Sequence, residues 1–518
     1  MSNQTKLWIA MNGIDMEHEA WVLIRLFFNE DSFSFISESN KFTSGSVLSI
    51  DIEDNEIWQC RVNYYSHLEK NENADVLSLK GISADYSSTK TVSLSETKEP
   101  GGRILKSHKI LVGACIVDVL SKATGKQLPY GSLTGVRPVK LAMNCINEGL
   151  NKNETINLLI KSTAMNEEKA GLLYDVAKVE LPYIKPDSKS IHLYIGIPFC
   201  ASRCLYCSFT SYPVERFKSL IPGYVEALEK EIRHMGQMVK SNNLKVQSVY
   251  IGGGTPTALD AYNLGRILEL TNECFNIENK EFTVEAGRPD TITEEKLLIL
   301  KNNNVTRISI NPQTMNASTL KAIGRNHTPE EIVDKFKMAR DMGFDNINMD
   351  IIAGLPNEDE EMFGFTLKKI EEMAPESFTV HTMAVKRASK LHENINAYRL
   401  TADTIVETMT EAARQSAIRM GMRPYYLYRQ KNILANLENT GYSKPGLECL
   451  YNIHTMEEVQ TIIAMGAGAI SKYVSCEDKK IERTYNIKEV AQYIERIDEM
   501  LERKNSILNF KSHTTFDH

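Results

Sequence analysis

Between Ile191 and His381 the sequence alternates repeatedly between strand-like and helical spacing, and few folds accept that rhythm. Strand-like runs stand at His192–Ile197, Val246–Ile251, Glu281–Glu285, Val305–Ile310, Asn346–Ile352 and Ser377–His381. Helical spacing fills the gaps near Gly223–Met238, Ala258–Cys274, Thr293–Asn302, Pro329–Met342 and Asp359–Met373. Repeated strand–helix units predict a parallel sheet, which right-handed crossovers wind into a barrel or an open sheet. In either form ligands bind at the C-terminal ends of the strands.

The flanks read differently. Residues 1–95 predict a small α+β domain, with strands near Leu7–Met11, Val47–Ile52, Ile57–Tyr64 and Val76–Leu79 and a helix around Glu17–Phe28. Pro100-Gly101-Gly102 punctuates its end, and 96–186 reads as a helical segment closed by Pro182 and Pro186. The strand–helix core occupies 187–400, and 401–518 reads as a helix-rich C-terminal domain with one Tyr- and Arg-rich run, Arg423–Lys431. The chain has 518 residues, 42% of them hydrophobic and 25% charged, enough for roughly three domains with cores of their own. No run reaches the ~20 apolar residues of a membrane span, and the N-terminus lacks a signal-peptide pattern. A net charge of −7 gives no general attraction to nucleic acid, so an anionic ligand needs a local basic site.

The nine cysteines argue against a disulfide framework and for a reducing, cytoplasmic setting. Cys60, Cys115, Cys145, Cys274, Cys449 and Cys476 stand alone, whereas Cys200, Cys204 and Cys207 share one loop just after the first core strand. Three thiolates suit zinc or an iron–sulfur cluster. A structural zinc site needs a fourth ligand, and no paired Cys or His follows nearby. A four-iron cluster with three protein ligands leaves one iron open to a small molecule. The competing readings are ordinary buried cysteines or a zinc knuckle completed by a distant His.

Ile251-Gly-Gly-Gly-Thr-Pro-Thr257 follows the second strand; it lacks the Gly-Lys-Ser/Thr of a P-loop and the spacing of a dinucleotide fingerprint. Its glycines let backbone approach a ligand closely. Glu285, Gln313, Arg325 and Asp350 fall at or near later strand ends. A carboxylate suits ribose hydroxyls and an Arg suits a ligand carboxylate. Singly each reads as a satisfied structural group; together they point to one ligand with nucleoside and amino-acid parts.

Tyr194-Ile-Gly-Ile-Pro-Phe-Cys-x3-Cys-x2-Cys207, Gly-Gly-Gly-Thr-Pro-Thr257, Ile323-Gly-Arg-x-His327 and Asp350-Ile-Ile-x-Gly-Leu-Pro356 resemble, in this order, radical S-adenosylmethionine (SAM) enzymes of the oxygen-independent coproporphyrinogen III oxidase group. Gly131–Pro138, Ile308–Gln313, Tyr426–Ile433 and Gly441–Gly446 are similar to its coproporphyrinogen dehydrogenase HemZ branch. The resemblance implies a partial parallel (β/α)6 radical SAM barrel and a [4Fe–4S] cluster on Cys200, Cys204 and Cys207. It implies SAM contacts from Tyr194, Tyr206, Gly253, Gly254, Thr255, Glu285, Gln313, Arg325, Asp350 and Ala384, some of them to a second SAM. Relatives usually carry His where this chain has Gly196.

The implied reaction is oxidative decarboxylation of coproporphyrinogen III propionates to vinyl groups, giving protoporphyrinogen IX in anaerobic haem biosynthesis. A ferredoxin or flavodoxin is the implied reductant. For this tetrapyrrole substrate, Lys386, Arg387, Arg423, Arg429 and Lys431 are the candidate cations, against the reading of solvated surface charge. Tyr425, Tyr426 and Tyr428 either stack on a macrocycle or pack a core, and His327 and His381 receive no role. Two other functions compete: a haem-binding, chaperone-like or haem-modifying relative, and a non-radical zinc scaffold.

Overall fold

A computed structural model of the chain describes residues 6–37, 41–54, 57–69, 79, 81–93, 96–98, 100, 104, 108–209, 211–475 and 480–513. The expected strand at 76–79, the Gly101-Gly102 pair and Cys476 lie wholly or mostly outside these residues. The chain divides into two compact units, Met1–Lys178 and Val179–His518.

In the first unit, strands Phe33–Phe35, Leu7–Gly13, Ser44–Asp54, Ile57–Glu69 and Tyr86–Ser93 form one sheet in that order. Alternating Leu48, Ile50 and Ile52 meet Leu111, Val112, Ile116 and Leu120 of helix His108–Thr124 in a single core, so sheet and helix share burial across position 95. Each fully buried aliphatic side chain there contributes roughly 1.5–3 kcal/mol. The strand Tyr86–Ser93 escapes a hydrophobic-pattern search because it is an edge strand of mostly polar residues. Helices Val139–Asn147, Lys152–Thr163 and Glu167–Glu180 follow, the second started by an Asn151/Glu154 capping box.

The second unit is built on the expected parallel run: β1 (Ser190–Ile197), β2 (Lys245–Gly253), β3 (Glu281–Gly287), β4 (Arg307–Ile310), β5 (Ile347–Ala353) and β6 (Ser377–Thr382). Ile191, Leu193, Ile195 and Ile197 pack outward with Tyr224, Leu228 and Ile232 of the first crossover helix, Ile221–Ser241. Period-two alternation then turns His192, Tyr194 and Gly196 to the opposite face. Asp260, Thr293, Thr328 and Asp359 cap the next four crossover helices, each accepting a hydrogen bond from a first-turn amide.

Beyond 401 the chain supplies helices Asp403–Arg419, Leu450–Glu457 and Ile497–His513, and also five strands that the helical reading did not anticipate: β7 (Arg423–Tyr428), β8 (Asn439–Ser443), β9 (Thr461–Met465), β10 (Ile470–Val474) and β11 (Ile481–Tyr485). The sheet order is β7-β8-β6-β5-β4-β3-β2-β1-β9-β10-β11. The parallel run is thus a partial barrel: β6 is met by antiparallel β8, and β1 by parallel β9. Pro424 and the run of tyrosines disfavour helix at Arg423–Tyr428, which pairs antiparallel to β8.

Candidate active site

The C-terminal ends of β1 to β6 surround a cavity of about 370 Å³. After β1 the chain closes a loop by a short pairing of Phe199–Cys200 with Tyr212–Pro213, and the Tyr212 amide donates to the Pro198 carbonyl at 2.8 Å. Cys200 and Cys204 are buried and Cys207 half-buried; all are free thiols facing the cavity. The glycine turn after β2 is bonded to this loop, Gly254 N donating to Ile197 O and Thr255 N to Phe199 O, each at 2.7 Å. Thr255 Oγ1 lies 3.5 Å from Cys200 Sγ. A Cβ at Gly254 would stand 2.5 Å from the Phe199 oxygen and 2.9 Å from Cys200 Sγ, so only glycine lets the turn come this close. Gly253, at φ +110°, is a second position that favours glycine.

Arg288 ties the loop to β3. Its guanidinium donates to both Asp290 oxygens at 3.0 and 2.7 Å and to Ser202 Oγ at 2.7 Å. Arg288 directly follows Val284-Glu-Ala-Gly287, and no sequence pattern marks it as part of the site.

Glu285 and Asp350 face the cavity from β3 and β5. Burial pushes the Glu285 carboxyl up to about 7, a hydrogen bond from Tyr250 opposing this and the Asp350 charge adding to it. The Tyr250 hydroxyl donates to Glu285 Oε1 at 2.6 Å. Burial would also raise Asp350, but hydrogen bonds from His381 and Asn348 outweigh it and hold that carboxyl below its ordinary range. Asn348 Nδ2 donates to Asp350 Oδ1 at 2.8 Å, and His381 Nε2 lies 3.7 Å from Asp350 Oδ2. His381, given no role from sequence, also approaches the Tyr428 hydroxyl at 3.4 Å.

Gln313 sits just past β4 in a left-handed conformation, φ +66°, pinned by backbone bonds to Asp350 O and from Ile352 N, both 2.9 Å. Its side-chain oxygen is buried without a protein partner, as is Arg325 Nε. Arg325 NH1 donates to Asn311 O at 2.5 Å, and the guanidinium neighbours Tyr206 and Cys204. Burial raises the Tyr206 hydroxyl well above its usual range. Ala384 lines the same cavity beyond β6.

The cavity therefore gathers Cys200, Cys204, Tyr206, Cys207, Gly253, Gly254, Thr255, Glu285, Gln313, Arg325, Asp350, Ala384 and Lys386. Tyr194 is not among its lining residues; it stacks beneath, 6.3 Å from Tyr250 and 5.9 Å from Tyr451 between ring centroids. Four of the five candidate cations also stay off the lining. Arg423 pairs with buried Glu448 at 2.8 Å, and Arg429 is buried, donating to Asn436 O at 2.8 Å and to Leu437 O at 3.3 Å. Arg387 and Lys431 are exposed. Tyr426 and Tyr428 line the cavity, while Tyr425 packs in a core and accepts from Asn452 at 3.1 Å. His327 is buried off the lining, and burial lowers it to about 4.

Among the described residues no three His, Cys, Asp or Glu side chains converge as ligands of a single ion. The lining does bring three free thiols of one loop, Cys200, Cys204 and Cys207, to the cavity. The same lining holds carboxylates suited to hydroxyl donors, an amide with an open oxygen and, next to Cys204, a guanidinium with an open Nε. These residues fit a soft, multi-metal cluster beside a polar nucleoside-like ligand.

Residues 194–370 match the radical SAM superfamily. The chain is 40% identical to an oxygen-independent coproporphyrinogen-III oxidase-like protein, HemZ, of Bacillus subtilis, over 82% of this chain and 85% of the relative. It is 29% identical to the heme chaperone HemW of the same organism, over 59% of this chain and 76% of the relative. It is 28% identical to the oxygen-independent coproporphyrinogen III oxidase of Escherichia coli, over 60% and 66%.

Proposed function

Since the chain belongs to the oxygen-independent coproporphyrinogen-III oxidase-like family of radical SAM proteins, we propose that it catalyses radical SAM decarboxylation of coproporphyrinogen III propionates to vinyl groups, giving protoporphyrinogen IX. The observation that carries the reading is that three free thiols share one cavity with the Glu285, Gln313, Arg325 and Asp350 side chains. Cys200, Cys204 and Cys207 would hold a [4Fe–4S] cluster. Gly253, Gly254 and Thr255 bring backbone close enough for a ligand to lie against them. Asp350 and Glu285 would accept from ribose hydroxyls, while Gln313 and Arg325 would meet the polar amino-acid end. When bound, cluster and SAM supply a 5′-deoxyadenosyl radical able to take a hydrogen atom.

The protein's own part is to orient and to exclude water. Arg288 fixes the cysteine loop against β3 through Ser202, and His381 keeps Asp350 ionised and aimed. A propionate that has lost one hydrogen atom becomes a vinyl group by releasing CO2 and passing one electron to a one-electron acceptor, such as a redox protein or an oxidised iron–sulfur cluster. A small ferredoxin or flavodoxin is the proposed reductant for the cluster. A reducing cytoplasm suits the free thiols, and among the described residues no helix is long and apolar enough to cross a membrane. The similarity to heme chaperones favours a second reading, haem binding without decarboxylation.

An anaerobic assay with coproporphyrinogen III, SAM and a reductant separates them. Wild type is expected to form deoxyadenosine and vinyl product, and Cys204→Ala neither, with iron and sulfide lost. Deoxyadenosine without vinyl product would sink the substrate assignment. Tight haem binding with no turnover would favour the chaperone reading.

A further inference from the structure

The basic side chains lining the cavity are Arg288, Arg325, His381 and Lys386, and three of them are committed. Arg288 is bonded to Asp290 and Ser202, His381 stands against Asp350, and Arg325, bonded to the Asn311 carbonyl, keeps an open Nε that in the reading above meets the polar amino-acid end of SAM. Lys386 has no carboxylate partner among the described residues, and its titratable neighbour in the cavity is the Cys207 thiol. Its ammonium lies 5.5 Å over the ring of Phe209, which lines the same cavity and is 65% exposed. An aromatic ring left this open at a cavity rim, beside a cation without a carboxylate partner, is a place for a flat apolar body carrying an acid.

Resting on the tetrapyrrole reading above, we propose that Lys386 and Phe209 form a mouth that admits one carboxylate-bearing arm of the substrate, while its ring system stays outside against Phe209. Charge fixes the number of arms: a carboxylate taken out of water needs a cation, and with Arg325 given to SAM and Arg288 and His381 beside acids, Lys386 is the lining cation left for the substrate. Size agrees, since about 370 Å³ is near the lower end of the ~300–1,000 Å³ of small-ligand sites, and the cofactor would share it. The remaining acids of a polycarboxylate then stay hydrated.

Fluorescence titration of the purified protein with coproporphyrin III and with its tetramethyl ester, in the same detergent-containing buffer, tests this. Wild type should prefer the acid about tenfold, the size of one charge-assisted hydrogen bond. Lys386→Met should abolish the preference, Lys386→Arg should keep it, and Phe209→Ala should weaken both ligands equally, by about threefold. A preference that survives in Lys386→Met overturns the one-cation mouth, and Phe209→Ala binding like wild type overturns the ring platform, with the tetrapyrrole reading left standing. If wild type binds neither porphyrin, that reading falls and the mouth with it.

Discussion

Two buried polar centres in the second unit differ in how completely their atoms are used. At one, the Glu231 carboxylate accepts from the Gly466 amide at 2.8 Å, the Tyr493 hydroxyl at 2.6 Å, Asn486 Nδ2 at 2.8 Å and the Lys504 ammonium. Lys504 also donates to the Ala464 carbonyl at 2.6 Å, and only Asn486 Oδ1 is left over. At the other, the cavity, Gln313 Oε1 and Arg325 Nε are buried with no protein partner, and two carboxylates face each other with one pushed up to about 7. Unmade hydrogen bonds in a buried site cost stability, and those that line a cavity are the ones a ligand can make. The first centre holds the C-terminal helix and β9 to the crossover helix Ile221–Ser241; the second holds itself ready.

The contrast breaks most sharply at Lys504. Lys504→Met leaves the Glu231 charge buried without its cation, and losing one partner of a buried pair costs about 3–5 kcal/mol. Urea unfolding of the variant should show that loss, while deoxyadenosine formed per folded molecule stays at the wild-type level. A loss below about 1 kcal/mol would mean that the remaining donors suffice.

The same contrast explains what could be read in advance. The six parallel strands were legible because each is a short apolar run bounded by helical spacing, and their order needed no further signal. β7 to β11 were not, because five- and six-residue strands inside helical surroundings become strands by pairing at the sheet edges. Cys200, Cys204 and Cys207 were legible because their spacing lies within one loop, and Glu285, Gln313 and Asp350 because strand ends in such folds share a face. Arg423 and Arg429, candidate substrate cations by position and charge, lie off the cavity lining. Their basic character is in the sequence, but their partners, Glu448 and the Asn436 and Leu437 carbonyls, are assigned only by folding. Arg288 was missed for the converse reason: its partners Asp290 and Ser202 make it part of the loop's frame, which no spacing rule describes.

A second effect comes from Glu285. Its folded pKa of about 7 lies above the usual 4.5, so the fold favours the protonated acid. The associated stability is complete below the unfolded value and is lost as pH rises through 7. Glu285→Gln keeps an acceptor for Tyr250 and removes the titration. Wild type and variant should match near pH 4, and by pH 8 the variant should be more stable by on the order of 2–3 kcal/mol. Denaturation midpoints across that range that stay parallel would show that Glu285 titrates normally in the fold.

The smallest effect sharpens the comparison most, because it separates binding from stability at single amides. Gln313→Ala removes an oxygen that already lacks a protein partner, so melting should shift by no more than about 2 °C. SAM affinity measured by equilibrium dialysis should fall about tenfold, the worth of a hydrogen bond to a charged ligand. Asn486→Ala is the matched case, since its Nδ2 donates to both Glu231 and the Gly466 carbonyl. It should cost about 1–3 kcal/mol of stability and leave SAM affinity unchanged. If instead Gln313→Ala destabilises as much as Asn486→Ala and binds SAM like wild type, the open amide belongs to the frame of the barrel, and unfilled hydrogen-bonding capacity does not distinguish a ligand site in this fold.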